Sequence, residues 1–287
     1  MAKISQSLEE KSLDLAGKRV HYLEAGKGPS LILIHGWCGS ADFFTGIIPQ
    51  LAEKFKIIAP DLPGCGLRGK EGSEELEGKH TIFTYVNFLR RLVKHLKLGK
   101  VNLLGYSMGG TITLEWAKKY PKEVSKIVVF EPNLGGRDIS FLGKLMIIEG
   151  KIKFSRPLLR WVYAEVTEKE KSFRRLSSKN KKVLIDELYG ASLRMAEESA
   201  EDILRGKNIE SYQKIQSPTL LLAGGLKTPV STPEEVEKLG KIIPGAKVVK
   251  FLHAGHAFIM EDPAGLTGIV VNFLELKGKE NAGITRG

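Results

Sequence analysis

The chain has 287 residues, 42% of them apolar, which suits one large α/β domain with room for an insertion and a sizeable buried core. Its net charge of +11 raises the question of a polyanionic partner, but Lys and Arg are interleaved with Glu, and the densest stretches, Phe173-Arg174-Arg175 and Lys179-Asn180-Lys181-Lys182, read as solvated helix faces rather than a nucleic-acid stripe. Residues 1–10 hold no apolar core of a signal peptide and no apolar run approaches the ~20 residues of a membrane helix, so a cytoplasmic protein with neither nucleic-acid nor membrane partner is expected.

Residues 12–15 and 19–23 read as two short strands around the turn Gly17-Lys18. Gly26-Lys27-Gly28-Pro29 breaks the chain before a buried strand at 30–34, which ends in His35-Gly36-Trp37. A helix is expected at 41–54, then a strand at 55–59 ending in Pro60-Asp61-Leu62-Pro63-Gly64. A polar loop over 65–79 leads to a helix at 81–96, with apolar residues at helical spacing. The strand beginning at Val101 stops at Gly105, and the segment from Thr111 to Ala117 is helical in pattern. A strand at 124–130 ends in Glu131-Pro132-Asn133. From 134 to 216 the patterns are helical, with no convincing strand. Alternation resumes with a strand at 219–223, a helix at 233–241, a strand at 246–252 and a helix at 263–276, followed by a polar tail. The expected fold class is α/β, a mostly parallel sheet flanked by helices. Residues 1–133 and 216–287 would form the core, and 134–215 an inserted helical cap. Ligands of such sheets bind beyond the carboxyl ends of the strands, where His35, Asp61, Ser107, Glu131 and Thr228 all fall. Cys38 and Cys65 have no metal-ligand spacing and read as free thiols in predicted loops.

Gly105-Tyr106-Ser107-Met108-Gly109 fits G-x-S-x-G, between a strand and a helix as that motif requires. A strand that becomes a helix within a few residues forces the serine into a strained conformation. Glycines two residues on either side prevent Cβ clashes. Ser107 Oγ is then held above the sheet at a helix N-terminus, where developing negative charge is favoured. A serine hydroxyl needs a base, and histidine suits neutral pH. In G-x-S-x-G hydrolases the base follows late in the chain, which leaves His253 and His256. His256, behind Gly255 in the loop after the last strand, is favoured; His253 is the alternative.

Four motifs in this order, His35-Gly36-Trp37, Asp61-Leu62-Pro63-Gly64, Gly105-Tyr106-Ser107-Met108-Gly109-Gly110 and Gly255-His256 followed by Glu261-Asp262-Pro263, resemble the α/β-hydrolase family over nearly the whole chain. The resemblance implies an oxyanion hole from the backbone N–H groups of Met108 and Trp37, with His35 and Asp61 structural. It also exposes a departure. Most members place an Asp in a G-x-x-D-P-V-like stretch after the next-to-last strand, and here that stretch reads Gly225-Leu226-Lys227-Thr228-Pro229-Val230. Thr228 cannot carry the charge that holds the histidine's tautomer. Glu131, directly after an apolar strand, is the expected replacement, as in several haloalkane dehalogenases, which use an acid at this strand end. Its other reading is a cap or salt bridge at the base of the insertion. Asp262 is expected to be an N-terminal helix charge.

The resemblance to dehalogenases stops at the acid, because those enzymes attack with Asp. A serine forms an acyl-enzyme, so the expected function is a serine carboxylesterase acting on a small-molecule ester, with catalytic residues Ser107, His256 and Glu131 and with no cofactor and no metal. The alternatives are a C–C bond hydrolase or acyltransferase on the same residues, or a hydrolase-derived ligand receptor. Trp37, Phe141, Met146 and Trp161 are candidate pocket residues from the oxyanion loop and the cap. Leu145, Phe154, Leu158, Leu159, Tyr163 and Leu188 could line the same apolar pocket, and at helical spacing all of these cap residues, Phe141, Met146 and Trp161 included, serve equally as core between cap and body. A monomer or homodimer is expected.

Overall fold

The computed structural model describes residues 7–66, 73–135, 176–226, 228 and 230–276. Among them, eight strands form one sheet: β1 (Glu9–Asp14), β2 (Arg19–Ala25), β3 (Ser30–Ile34), β4 (Lys56–Pro60), β5 (Val101–Tyr106), β6 (Val124–Phe130), β7 (Thr219–Gly224) and β8 (Lys247–Phe251). Their order is β1-β2-β4-β3-β5-β6-β7-β8. β1 and β2 run antiparallel to their neighbours, and the pairings from β4 to β8 are parallel. Burial follows position. β3, β5 and β7 are buried at every residue, as their continuous apolar character requires between two covered faces. The edge strand β1 is polar and largely exposed, and it starts three residues before the expected position. Glu9 lies opposite Glu24 there, and Lys11 pairs with both carboxylates at 2.9 and 3.4 Å.

The flanking helices are α1 (Ile48–Leu51), α2 (Ile82–His95), α3 (Met108–Lys119), α4 (Ser178–Gly190), α5 (Leu193–Leu204), α6 (Pro233–Ile242), α7 (Phe258–Glu261) and α8 (Pro263–Glu275). Local chemistry sets their starts. Thr81 and Thr84 form a reciprocal capping box at α2, and Thr232 and Glu235 do so at α6, where Pro233 occupies the first turn. The single helix expected at 41–54 is instead a 3₁₀ turn, Ala41–Phe44, followed by α1. Gly46 has poor helix propensity, and Pro49 cannot donate to the preceding turn. The short helix α7 lies in a stretch expected to be loop.

The parallel register brings the strand ends to one rim. Ile34 pairs with Gly105, Tyr106 with Phe130, Phe130 with Leu222, and Gly224 with Phe251. The loops beginning at His35, Ser107, Glu131, Gly225 and Leu252 therefore open side by side.

Within the expected insertion the described part is helical: α4, α5 and a 3₁₀ turn, Ile209–Lys214. α5 is tied to the body. Glu198 Oε2 accepts from the His80 N–H at 2.8 Å and Asp202 Oδ2 from the Ile82 N–H at 3.0 Å, which puts two acidic side chains at the positive end of α2. Arg194 donates to the carbonyls of Leu76, Glu77 and Gly78, and the Ser192 N–H to Gly64 O. Phe141, Leu145, Met146, Phe154, Leu158, Leu159, Trp161 and Tyr163 lie outside the described residues; Leu188 is buried in the core. Among the described residues no helix is long and apolar enough to cross a membrane.

Candidate active site

Ser107 stands between β5 and α3 with φ 56° and ψ −119°, a conformation that L-residues rarely adopt. The turn is possible because of its glycines. A Cβ at Gly105 would overlap Gly109 O and Thr113 Oγ1, and one at Gly109 would overlap Ile34 O. The strained turn is fastened to the next strand end. The Ser107 N–H donates to Phe130 O at 2.9 Å, the Asn133 N–H donates to Ser107 O at 3.3 Å, and Thr111 Oγ1 donates to Asn133 O at 2.5 Å. The turn carrying Ser107 and the turn carrying Glu131 are thus one hydrogen-bonded unit.

Ser107 occupies the N-cap position of α3, yet its side chain makes no capping bond. Its Oγ lies 3.0 Å from His256 Nε2. His256 Nδ1 lies 3.0 Å from Glu131 Oε2. A carboxylate only accepts, so Nδ1 carries the proton and the Nε2 lone pair faces the serine hydroxyl. Ser107, His256 and Glu131 are 6%, 8% and 0% exposed, which shields these contacts from water. Glu131 itself has a positive φ of 45°. That left-handed kink is held by its N–H donating to Leu222 O at 3.0 Å, and by the Gly224 N–H donating to Oε1 at 2.6 Å. Both carboxylate oxygens are therefore partnered in a dry site. His253, the alternative base, is exposed.

Thr228 is buried at the position where the acid was missing, and it serves its own turn. Its hydroxyl donates to Ser231 O at 3.0 Å and accepts from the N–H groups of Ser231 and Val230 at 3.2 and 3.3 Å. His35 and Asp61 brace loops. His35 Nδ1–H donates to Gly36 O at 2.7 Å and Nε2 accepts from the Leu62 N–H at 2.9 Å, a pattern only the neutral ring can make. Burial lowers its pKa in the same sense. Asp61 accepts from the Ala41 N–H at 2.7 Å and pairs with His21 Nδ1 at 2.8 Å. The N–H groups of Trp37 and Met108 have no acceptor among the described residues, and Met108 begins a helix, where such donors are intrinsically unsatisfied. The Trp37 ring is half-buried, and its indole N–H donates to Ser199 Oγ at 3.1 Å and Ala196 O at 3.2 Å on α5. Asp262 caps α8, accepting from the Gly265 N–H at 3.0 Å. Cys38 and Cys65 are free and buried, and burial pushes both thiols well above their usual pKa, so neither is a ready nucleophile.

Residues 29–263 match the model of the alpha/beta hydrolase fold family, most of the chain. The chain belongs to this family. It is similar to Lipase 1 of Psychrobacter immobilis, 30% identical over 272 residues that cover 88% of this chain and 80% of the lipase. An uncharacterized protein of Mycobacterium tuberculosis is 29% identical over 129 residues, 45% of this chain, and that match spans only 36% of the relative's length. Among solved structures, an esterase from Exiguobacterium antarcticum superimposes with a TM-score of 0.78 over 93% of this chain and 100% of its own, at 21% identity, a likeness of fold alone. The family match and the lipase similarity both run over most of the chain, whereas the mycobacterial match covers about a third of that relative.

Three contributors were not singled out in the sequence. Tyr106, inside the elbow motif, lies under the His256 ring at 5.0 Å between centroids and stacks on Phe130 at 5.6 Å. Gly224 ends β7. A Cβ there would sit 3.1 Å from Glu131 Oε1 and 2.8 Å from Ala254 O, so the glycine makes room for the carboxylate. Glu187 of α4, 4% exposed, accepts from Ser40 Oγ at 2.5 Å, and no local pattern in the sequence marked it.

Proposed function

We propose that the chain is a serine hydrolase of small-molecule carboxylic esters, working through an acyl-enzyme without a cofactor. The observation that carries this reading is the unbroken path from Ser107 Oγ to His256 Nε2 and from His256 Nδ1 to Glu131 Oε2, each contact 3.0 Å. Ser107 attacks the ester carbonyl carbon while its proton passes to His256. Glu131 stabilises the imidazolium that forms. The Met108 and Trp37 N–H groups receive the developing oxyanion, and one such donor is worth about 3 kcal/mol in a well-formed hole. His256 then returns the proton to the departing alkoxide. A water molecule, deprotonated by the same ring, attacks the acyl-enzyme, and collapse releases the carboxylic acid and restores Ser107.

The test is a fluorophosphonate probe with mass-spectrometric mapping, alongside an ester panel of graded acyl length with diketones and amides as competitors. The expected result is labelling at Ser107, abolished in Ser107→Ala, with esters turned over fastest. A protein that takes no label and turns over no ester is the ligand receptor instead. Preferential cleavage of the diketone would move the assignment to C–C hydrolysis.

A further inference from the structure

We propose that the described helices of the insertion set the oxyanion hole: the Trp37 indole and the Ser40 hydroxyl are positioning groups through which α5 and α4 hold the Trp37 N–H in place. This inference rests on the acyl-transfer reading above.

Among the described residues, hydrogen bonds from the body reach the loop from His35 to Ala41 at its ends, and across its middle the Gly39 N–H donates to Gly36 O at 3.1 Å. At one end, His35 is fixed by Gly36 O and the Leu62 N–H; at the other, the Ala41 N–H donates to Asp61 Oδ1 at 2.7 Å. Between them the chain is strained, because Cys38 has φ 53°, a conformation that needs support from its surroundings. Part of that support is the Gly36–Gly39 turn itself, and part comes from α5 and α4. The Trp37 indole N–H reaches two acceptors on α5, and the Ser40 hydroxyl reaches Glu187 on α4 at 2.5 Å.

Each contact has a defined direction. Ser199 Oγ donates to Met195 O at 2.6 Å, so its lone pair is what meets the indole. Ser40 Oγ accepts from the Asp42 N–H at 3.2 Å, which leaves its proton for Glu187. The support is itself fixed, since Glu198, Asp202 and Arg194 bind α5 to the segment 76–82 of the body. A donor aimed at developing charge gains its value from not having to reorganise. A misplacement of about 1 Å can cost up to ~10²-fold in rate. The Gly36–Gly39 turn and the anchors at the loop's ends hold the backbone, and the Trp37 and Ser40 side chains are held by α5 and α4.

Trp37→Phe keeps an aromatic side chain but removes the indole N–H together with the five-membered ring that bears it. Glu187→Leu removes the acceptor for Ser40, and Glu187→Gln keeps an oxygen there. The readouts are kcat and KM on one p-nitrophenyl ester, the inhibition constant of a trifluoromethyl ketone bearing the same acyl chain, and thermal unfolding. The ketone forms a hemiketal whose oxyanion uses the same hole. Trp37→Phe is expected to lower kcat about tenfold with KM within about twofold, and to weaken the ketone by the same factor. Glu187→Leu should move both in the same direction, and Glu187→Gln should recover most of the loss. If Trp37→Phe fails to fold, the Glu187 pair decides. Folded variants with unchanged kcat, a loss confined to KM, or lower kcat with unchanged ketone affinity would overturn the inference and leave the functional reading intact. A wild-type protein that neither turns over the ester nor takes the fluorophosphonate label at Ser107 would overturn both.

Discussion

Two neighbouring strand ends carry the two places where an acid could serve His256, and they are built differently. At the end of β6, Glu131 sits in a left-handed kink, fully buried, with one oxygen on His256 and the other on the Gly224 N–H. Beyond the end of β7, Thr228 spends its hydroxyl on the backbone of its own turn. The first turn shares hydrogen bonds with the turn of Ser107, and the second is closed on itself. The two ends thus differ in kind: in the proposed mechanism Glu131 is placed by the turn that carries Ser107, whereas Thr228 serves its local turn.

The comparison breaks most sharply at Glu131. Glu131→Ala should reduce kcat by about 10³–10⁴-fold, measured on the best ester of the panel, because the imidazolium loses its counter-charge and the ring its orientation. Gly224→Ala tests the link between the two strand ends. Its Cβ would crowd Glu131 Oε1 and Ala254 O, so kcat should fall by about 10–100-fold and unfolding should become easier by about 1–3 kcal/mol. Thr228→Val should leave kcat within about twofold and cost about 1 kcal/mol of stability by denaturant titration, since only a local turn is lost.

The His21–Asp61 pair is an internal control for His256–Glu131. Its geometry resembles that of His256–Glu131, but the pair braces β2 against the strand end of β4. The Asp61 hydrogen bond, assisted by the negative charges of Asp61, Glu10 and Asp42, raises the His21 pKa against an opposing contribution from burial. A raised folded-state pKa favours the folded protein below the unfolded value of about 6.5, and that contribution fades as pH rises through the folded pKa. Stability should therefore decline with pH from about 6.5 upward, and His21→Gln should flatten that slope while leaving turnover within about twofold. A variant that alters kcat as strongly as it alters the pH slope would remove the distinction between the two pairs.

The strands of the parallel sheet were legible because their apolar runs are long and end in polar or Gly-rich breaks. β3 and β6 fall where the sequence puts them, since both are buried between neighbours. The broken helix at 41–54 was less legible: its apolar spacing is helical, and Gly46 and Pro49 outweigh it locally. At the site, the elbow glycines constrain the backbone within a few residues, which is why Ser107 could be read directly. Glu131 stands out because a charge directly after four apolar residues must find a partner. Gly224 and Glu187 could not be read, because their partners are distant in sequence and no local pattern encodes them. The candidate pocket residues Phe141, Met146 and Trp161 lie outside the described residues.

The role of Glu131 is decided by Glu131→Gln measured beside Thr228→Ala, with kcat/KM for one ester and thermal unfolding recorded for both. The glutamine is isosteric, so it can keep the Gly224 contact while losing the charge that faces His256. The predicted result is a fall of at least about 10³-fold for Glu131→Gln with unfolding little changed, and turnover within about twofold for Thr228→Ala. Near-normal turnover in Glu131→Gln, or an equal loss in Thr228→Ala, would contradict it.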